Sequence, residues 1–301
     1  MEGLTAIGNP QARDDKGRPE GLVLSLPALI ELPRHGGSMA APTLSPLGQP
    51  KCAVRVHRGQ DAPIPEGAGP WARKFVDFAL LSAIVYGDVA KKVSSPAGWT
   101  RSPDPLDRVD DQKTSLYFEV WEKKASFDAV EVAVVFRGTH EWKDWWSNLR
   151  WVTRFIPIGW DQYNRVRKEI PDVVIRAKKR NASVRMATAG HSLGGGLAQH
   201  AAYSHPEIKQ VFAFDSSPVT GFRSVPEPAR TVNRRGILSD RIYERGEILS
   251  YLRQFVRKLV PLSLKDPDIT EIRFNVTKGD PVKQHSMVKL ARGMDRAAHE
   301  C

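Results

Sequence analysis

The sequence has few cysteines and no long hydrophobic run. Its 301 residues include only two cysteines, Cys52 and Cys301, which could form at most one bridge. A disulfide-rich scaffold and a cysteine-rich zinc site are therefore excluded. No apolar run reaches the 18 residues that a transmembrane helix needs, and the first residues lack the basic segment of a secretory signal. We expect a cytoplasmic protein by default, with signal-independent export left open.

Motifs for metals and nucleotides are also missing. His140-Glu141 is not followed by a second histidine at the spacing of a zinc protease, and the chain has no P-loop and no RNA-binding signature. We therefore expect no metal and no organic cofactor, and nucleic acid is not the expected partner.

The composition is that of a globular protein with a basic excess. Hydrophobic residues make up 41% and charged residues 26% of the chain, and the formal net charge is +11. Such basicity suits an anionic partner, and the charge alone fits either nucleic acid or phospholipid headgroups.

The prolines are concentrated at the N-terminus. Ten of the 22 prolines lie in the first 70 residues, where no periodic pattern is visible. We predict that residues 1–68 form a poorly ordered extension and that residues 69–301 form the folded domain.

Strand and helix patterns alternate from about residue 115 onward. Such alternation predicts an α/β fold with a mostly parallel central sheet and helices on both faces. Before it, Pro70–Tyr86 has helical spacing and ends at Gly87. A charged helix is predicted over Asp161–Arg180, with a kink or restart at Pro171.

The sharpest motif is Gly190-His191-Ser192-Leu193-Gly194. This G-x-S-x-G pattern lies between a predicted strand, Val184–Ala189, and a predicted helix that begins at Leu193. In that context the pattern indicates a nucleophile elbow, in which a strained turn exposes the serine hydroxyl and the glycines leave room for close packing. Ser192 is therefore the candidate nucleophile.

Three blocks of the sequence resemble the class 3 lipases, a family of fungal lipase-like α/β-hydrolases. The first is Gly190–Ala198, the second runs from Val134 to Thr139 and continues in Asp144–Leu149, and the third is Asp77–Asp88. The resemblance covers roughly residues 70–297. It implies an α/β-hydrolase fold and a serine esterase that acts without a cofactor.

The resemblance also implies the oxyanion hole. In this fold one donor is the backbone N–H of the residue after the nucleophile, here Leu193. The family supplies the second donor at Thr139, through its backbone N–H and its hydroxyl. Gly138, which precedes it, would let the chain turn sharply at the end of a strand.

The base and the acid follow the nucleophile in this fold. His285 is the candidate base, because it lies in a loop after the last predicted strand, whereas His200 and His205 lie on or after the nucleophile's own helix. Glu247 is the favoured acid, since its segment resembles the family's aspartate-containing segment. Asp280 and Asp215 remain alternatives.

Aromatic and basic residues are concentrated near residue 150. Five of the eight tryptophans fall between Trp142 and Trp160. The stretch with Trp151, Phe155, Ile158 and Trp160 fits a lid or acyl-chain groove and fits core packing equally well. Residues 150–180 hold nine basic and three acidic residues, which could dock an anionic membrane surface or form a solvated helix face.

Together these features predict a serine hydrolase that cleaves carboxylic esters of glycerolipids or phospholipids, of the triacylglycerol lipase or phospholipase A type. One alternative is an acyltransferase that uses the same triad. The other is a basic protein that binds membranes or nucleic acid on a degenerate hydrolase scaffold.

Overall fold

The computed structural model describes residues 52–59, 61–90, 93–125, 129–138, 151–250, 253, 263 and 265–301. Of residues 88–89 and 151–160 it describes only the backbone. These residues belong to one compact unit, which spans Gln49–Cys301. Of the extension predicted over residues 1–68, residues 1–51 lie outside the described residues.

The described residues form one sheet of ten strands in the order β2-β1-β10-β9-β8-β7-β6-β5-β3, with β4 also paired to β5. The five central strands, β6 to β10, are parallel, whereas the strands flanking them pair antiparallel. The strands are β1 (Ala53–Arg58), β2 (Ile64–Gly67), β3 (Trp99–Arg101), β4 (Arg108–Asp111), β5 (Leu116–Lys124), β6 (Ala129–Phe136), β7 (Ser183–His191), β8 (Ile208–Phe214), β9 (Leu238–Glu244) and β10 (Asp268–Phe274).

Helices cover both faces of this sheet, as the sequence predicts for an α/β fold. The described α-helices are α1 (Ala68–Ile84), α2 (Trp151–Arg180), α3 (Leu193–Ser204), α4 (Ala229–Asn233), α5 (Pro281–Gln284) and α6 (Met287–Glu300). Short 3-10 helices span Gly87–Ala90, Pro105–Asp107 and Phe222–Ser224.

The core is divided into two layers because side chains alternate between the faces of a strand. Ala133 and Val135 of β6 pack with α1 and α6 on one face. Val132 and Val134 of the same strand pack with α2 and α3 on the other face. A parallel sheet buried on both faces needs such near-continuous apolar strands, and β6 supplies one.

Two sequence predictions differ from the structure. Ala53–Arg58 and Ile64–Gly67 belong to the sheet as β1 and β2 rather than to a poorly ordered extension, because β1 pairs with β10 and thereby extends the folded unit. Helix α2 also continues through Pro171 without a restart. Its buried stripe, which lies on both sides of that proline, holds it against the sheet as one helix; the stripe consists of Tyr163, Val166, Ile170, Val173, Val174 and Ala177.

The basic face of α2 is paired with acidic residues from elsewhere in the fold. Arg176 and Arg180 both contact the buried carboxylate of Asp107, at 2.8 Å and 2.6 Å. Lys178 pairs with Glu207 at 2.7 Å. Part of the positive charge that the sequence concentrates in this helix is therefore neutralised within the domain.

A disulfide joins the two ends of the described unit. Cys52, just before β1, is bonded to Cys301, just after α6, with a Cα–Cα separation of 5.4 Å. The backbone of Cys301 also lies against Gly69 of α1, where a Cβ would collide with it. The disulfide therefore fixes the layer formed by α1 and α6 to the edge of the sheet that β1 extends.

Within the part of the chain that is described, no helix is both long and apolar enough to cross a membrane.

The disulfide yields a stability prediction. Replacing Cys52 and Cys301 together by Ser should lower the free energy of unfolding by about 2–5 kcal/mol, because the bridge closes a loop of 249 residues in the unfolded chain. Urea unfolding followed by circular dichroism measures the change. A reductant should destabilise the wild type and leave the double variant unaffected, and equal stability of both proteins in oxidising buffer would contradict the prediction.

Candidate active site

Ser192 occupies the sharp turn between β7 and α3. Its backbone angles are φ 57° and ψ −123°, a region that costs a non-glycine residue on the order of 1–3 kcal/mol and persists only where the surroundings impose it. Its N–H donates to the carbonyl of Phe214 at 3.0 Å, and its carbonyl accepts from the N–H groups of Gly195 and Ser217. These bonds hold the turn that the G-x-S-x-G pattern predicts.

Glycines on both sides of the serine allow this turn to close. A Cβ at Gly190 would collide with the carbonyl of Gly194, and a Cβ at Gly194 would collide with the carbonyl of Phe136 at the end of β6. The two glycines are therefore required because the first turn of α3 lies directly against the ends of β6 and β7.

A tyrosine links the elbow to the strand beside it. The hydroxyl of Tyr86, which follows α1, accepts a hydrogen bond from the N–H of Gly138 at 3.1 Å and contacts Nδ1 of His191 at 2.9 Å. A Cβ on Gly138 would lie 3.3 Å from Cβ of Ser192. The turn after β6 and the nucleophile elbow are thus fixed side by side through one phenol.

The structure describes one of the two residues expected to form the oxyanion hole, Leu193, and does not describe the other, Thr139. Leu193 is the first residue of α3, so its N–H is one of those that the helix leaves without an intrahelical partner. Thr139 lies outside the described residues, directly after Gly138. Its role stays a prediction.

His285 and Glu247 meet in the interior. Glu247 follows β9 by three residues, and His285 lies between α5 and α6, beyond the end of β10. Nδ1 of His285 is 2.9 Å from Oε2 of Glu247, and both side chains are buried. The loops after neighbouring parallel strands meet at the same edge of the sheet, which brings these residues together.

Glu247 has further partners that fix its carboxylate. Oε2 also accepts the N–H of Leu249 at 2.9 Å, and Oε1 forms an ion pair with Arg253. The buried Arg253 guanidinium in turn donates to the carbonyl of Ser216 at 3.0 Å and lies over the ring of Tyr243 at 3.9 Å. These contacts hold the Glu247 carboxylate in one orientation toward His285.

A second carboxylate, Asp215, lies in the same cluster. It follows β8, is fully buried and adopts a positive φ of 38°. Its Oδ1 accepts the N–H of Glu244 at 2.8 Å. Burial raises the pKa of Asp215, while the charges of His285 and Arg253 oppose that shift.

The histidines of the cluster have lowered pKa values. Burial lowers the pKa of His285; the Asp215 carboxylate works against this shift and Arg253 works with it. Burial also lowers the pKa of His191 well below its usual range. Both imidazoles are therefore neutral at neutral pH, and a neutral imidazole can accept a proton from a hydroxyl.

One set of donor atoms in the cluster has the composition of a metal site. Side-chain atoms of His191, Asp215 and His285 lie within 4.8 Å of one another, and imidazole with carboxylate suits several transition metals. The guanidinium of Arg253 acts on His191, Asp215 and His285 alike, and its charge opposes a second cation there. The set fits a proton-transfer cluster better than a metal centre.

The other predicted residues fall elsewhere. Asp280 is exposed and caps α5, where its Oδ1 accepts the N–H of Lys283 at 2.9 Å. The four candidate lid residues lie in the first ten residues of α2; their side chains are outside the described part, so the choice between lid and core stays open. They are Trp151, Phe155, Ile158 and Trp160.

Two contributors to the site were missed by sequence reasoning. Tyr86 is the tyrosine that ends the predicted first helix, and Arg253 follows Glu247 by six residues. Neither position belongs to a motif with a fixed spacing to the nucleophile. A buried carboxylate needs a partner, but that rule does not identify which of the nearby arginines supplies it.

Comparison with known proteins shows similarity to phospholipases over part of the chain. A family model described as a Tle-like phospholipase domain matches residues 77–220, just under half of the chain. An extracellular phospholipase A1 from Serratia liquefaciens is 32% identical over 130 residues, which are 42% of this chain and 34% of that protein. The chain thus matches about a third of the length of that relative.

Solved fungal lipases are similar at low identity. The Rhizomucor miehei lipase propeptide complex has a TM-score of 0.49 at 15% identity and covers 78% of this chain and 79% of its own. Lipase II from Rhizopus niveus has a TM-score of 0.45 at 14% identity and covers 69% and 80%.

A mixed sheet with five parallel central strands, helices on both faces and a strained serine between a strand and a helix define an α/β-hydrolase. Within that class, residues 77–220 are similar to a lipase-like family, whose matching model is the Tle-like phospholipase domain. The resemblance to lipases that the sequence motifs indicate is thereby confirmed.

The Tyr86 contacts yield a prediction for both stability and turnover. Tyr86→Phe should lower the free energy of unfolding by about 1–3 kcal/mol, because the N–H of Gly138 loses its acceptor in the interior, and it should also lower ester turnover. Thermal unfolding and kcat on a soluble ester measure the two effects.

Tyr163→Phe is the matched control. It removes a phenol that donates to the carbonyl of Val219 at 2.8 Å, on the opposite face of the sheet. This variant should lose similar stability and keep its turnover. Equal turnover of the two variants would show that Tyr86 does not position the elbow.

Proposed function

We propose that the protein is a serine hydrolase that cleaves carboxylic esters of glycerolipids or phospholipids through a triad of Ser192, His285 and Glu247. The observation that carries the proposal is the buried contact between His285 and Glu247, at the edge of the sheet where the strained Ser192 turn lies. A serine needs both features, since the turn exposes its hydroxyl and the oriented imidazole accepts its proton.

The chemistry proceeds in two halves. Ser192 Oγ forms a bond to the ester carbonyl carbon while His285 takes the hydroxyl proton, and the tetrahedral intermediate collapses to an acyl-enzyme as His285 gives that proton to the leaving alcohol. A water molecule then attacks the acyl group, His285 accepts its proton, and Ser192 leaves with the proton returned. Glu247 holds the imidazole and stabilises its cation throughout.

The oxyanion hole of this proposal uses the N–H groups of Leu193 and Thr139. The start of α3 places positive potential beside Ser192, because a helix N-terminus carries a partial positive charge. The turn that leads to Thr139 lies against Ser192 at Gly138. Both features support donors on the same side of the reacting carbon.

The substrate class is inferred from the relatives. The Serratia liquefaciens protein is named a phospholipase A1 and the matching family model a phospholipase domain. We therefore favour a phospholipid ester over other esters. An acyltransferase with the same triad differs only in the alcohol that receives the acyl group, and the buried His285–Glu247 contact argues against the degenerate binding protein.

Two further parts of the proposal concern the setting of the reaction. The Cys52–Cys301 disulfide and an extracellular relative favour an oxidising compartment over the cytoplasm that composition suggests by default.

Docking on an anionic membrane through α2 stays part of the proposal, with less charge than the sequence implies because Arg176, Lys178 and Arg180 are paired within the domain.

Replacing Ser192 or His285 by Ala should abolish hydrolysis of short p-nitrophenyl esters and leave the melting temperature nearly unchanged. Because triad members act as a unit, the double variant should be scarcely slower than either single variant. A fluorophosphonate probe should label the wild type and not Ser192→Ala. Labelling that persists in the variant would overturn the assignment of the nucleophile.

The acid is tested by a pair of neutralising substitutions. Glu247→Gln should lower kcat by about 10²- to 10⁴-fold, since the imidazole loses the carboxylate that holds its orientation. Asp280→Asn is the matched control, because Asp280 is exposed and only caps α5, and it should keep near-wild-type kcat. A larger loss in Asp280→Asn than in Glu247→Gln would show that the acid lies in the other loop.

A further inference from the structure

We propose that Asp215 is a second carboxylate acting on His285, a positioning residue that supplies the net negative charge for the imidazolium while Glu247 holds the ring. The inference rests on the proposed function and deepens it, because it concerns how the same base is charged during turnover. It follows from three observations: the ion pair of Glu247 with Arg253, the Asp215 oxygen that has no hydrogen-bond partner among the described residues, and the position of Asp215 relative to His285.

The first observation is that the charge of Glu247 is already compensated. Its Oε1 forms an ion pair with Arg253, whose guanidinium is buried and cannot be neutralised by bulk water. A carboxylate and a guanidinium in direct contact carry no net charge together. Glu247 can therefore orient His285 through its hydrogen bond, but its attraction for an imidazolium is largely cancelled by Arg253.

The second observation is the state of the Asp215 carboxylate. Its Oδ1 is fixed by the N–H of Glu244 at 2.8 Å, whereas Oδ2 is buried and has no hydrogen-bond partner among the described residues. A buried carboxylate oxygen left without a donor is costly. The backbone at Asp215 is also strained, with φ 38°, and such strain is typical of functional positions.

The third observation is the position of Asp215 relative to the base. A carboxylate oxygen of Asp215, a ring nitrogen of His285 and a ring nitrogen of His191 lie within 4.8 Å of one another. A charge at this distance in a buried site is coupled strongly to the imidazole. When His285 accepts the serine proton, a cation therefore forms beside a carboxylate that no arginine neutralises by direct contact among the described residues.

The groups around His285 leave Asp215 as the source of that charge. Glu247 and Arg253, from the segment after β9, form an ion pair, and the Arg253 charge still opposes protonation of His285. His191, at the end of β7, is neutral because burial lowers its pKa. Glu244, at the end of β9, is also neutral at pH 7, because burial raises its pKa to about 8. Burial raises the pKa of Asp215, and the charges of His285 and Arg253 oppose that rise and favour its ionised form.

The test compares pH profiles of kcat and kcat/KM for a soluble ester in Asp215→Asn and the wild type. We expect kcat to fall about 10-fold or more with KM nearly unchanged, because the lost charge acts on the imidazolium rather than on substrate binding. The acidic limb should move to lower pH. The limb moves in this direction because removal of the negative charge makes the His285 imidazole harder to protonate and so lowers its pKa.

Two further variants keep the result interpretable. Asp215→Gly removes the carboxylate and also relieves the positive φ, which glycine adopts readily, so it should show the same kinetic change in a stably folded protein. Asp240→Asn is the control, since Asp240 is another buried aspartate of the sheet, paired with Lys74 at 2.7 Å. It should lose stability without moving the acidic limb.

A double variant of Asp215 and Glu247 separates the orientation of the His285 ring from the charge that stabilises its cation. If Asp215 contributes as proposed, Asp215→Asn/Glu247→Gln should be slower than the product of the two single losses predicts, because Asp215 partly replaces Glu247 when the latter is neutralised. An unchanged kcat in Asp215→Asn and Asp215→Gly, or a lower kcat with an unmoved acidic limb, would overturn the inference. Fluorophosphonate labelling of the wild type reports on the proposed function separately.

Discussion

The backbone strain at Ser192 is the constraint on which the rest of the site depends. A serine at φ 57° and ψ −123° is stable only because the chain on either side cannot relax. Phe214, Gly195 and Ser217 hold both of its peptide groups, and the first turn of α3 is pressed against the ends of β6 and β7 with no room for a Cβ at Gly190 or Gly194. The free energy that this turn costs is offset by burial in the two core layers.

The parallel order of the central strands determines what surrounds that serine. Because β7, β8, β9 and β10 are neighbours in the sheet and run in the same direction, the segments that follow them emerge at one edge. Ser192, Asp215, Glu247 and His285 each come from a different one of these segments. The strand order thus places these four residues, which span nearly a hundred positions of the sequence, at one edge of the sheet. The segments after the strands then orient their side chains.

The sequence predicts the parts of this site that depend on local spacing. The elbow, the strands beside it and the first helix follow from patterns of a few residues, and His285 follows from its place after the last strand. The alternatives for the acid could not be separated, because Glu247, Asp215 and Asp280 all lie at plausible loop positions. In the fold their contacts differ: Glu247 contacts His285 and Arg253, whereas Asp280 caps α5. Strand β1 was missed for the same reason, since its partner β10 is more than 200 residues away in sequence.

Burial gives the cluster its chemistry. Removal of His285 from water lowers its pKa, so the ring rests in the neutral form that accepts a proton. The same removal would make the cation formed during turnover expensive unless charges are arranged for it in advance. One carboxylate can orient the ring only if something holds that carboxylate, and the arginine that does so also cancels its charge. Because Arg253 pairs with Glu247, in our proposal the further negative charge comes from Asp215, whose carboxylate lies within 4.8 Å of a ring nitrogen of His285.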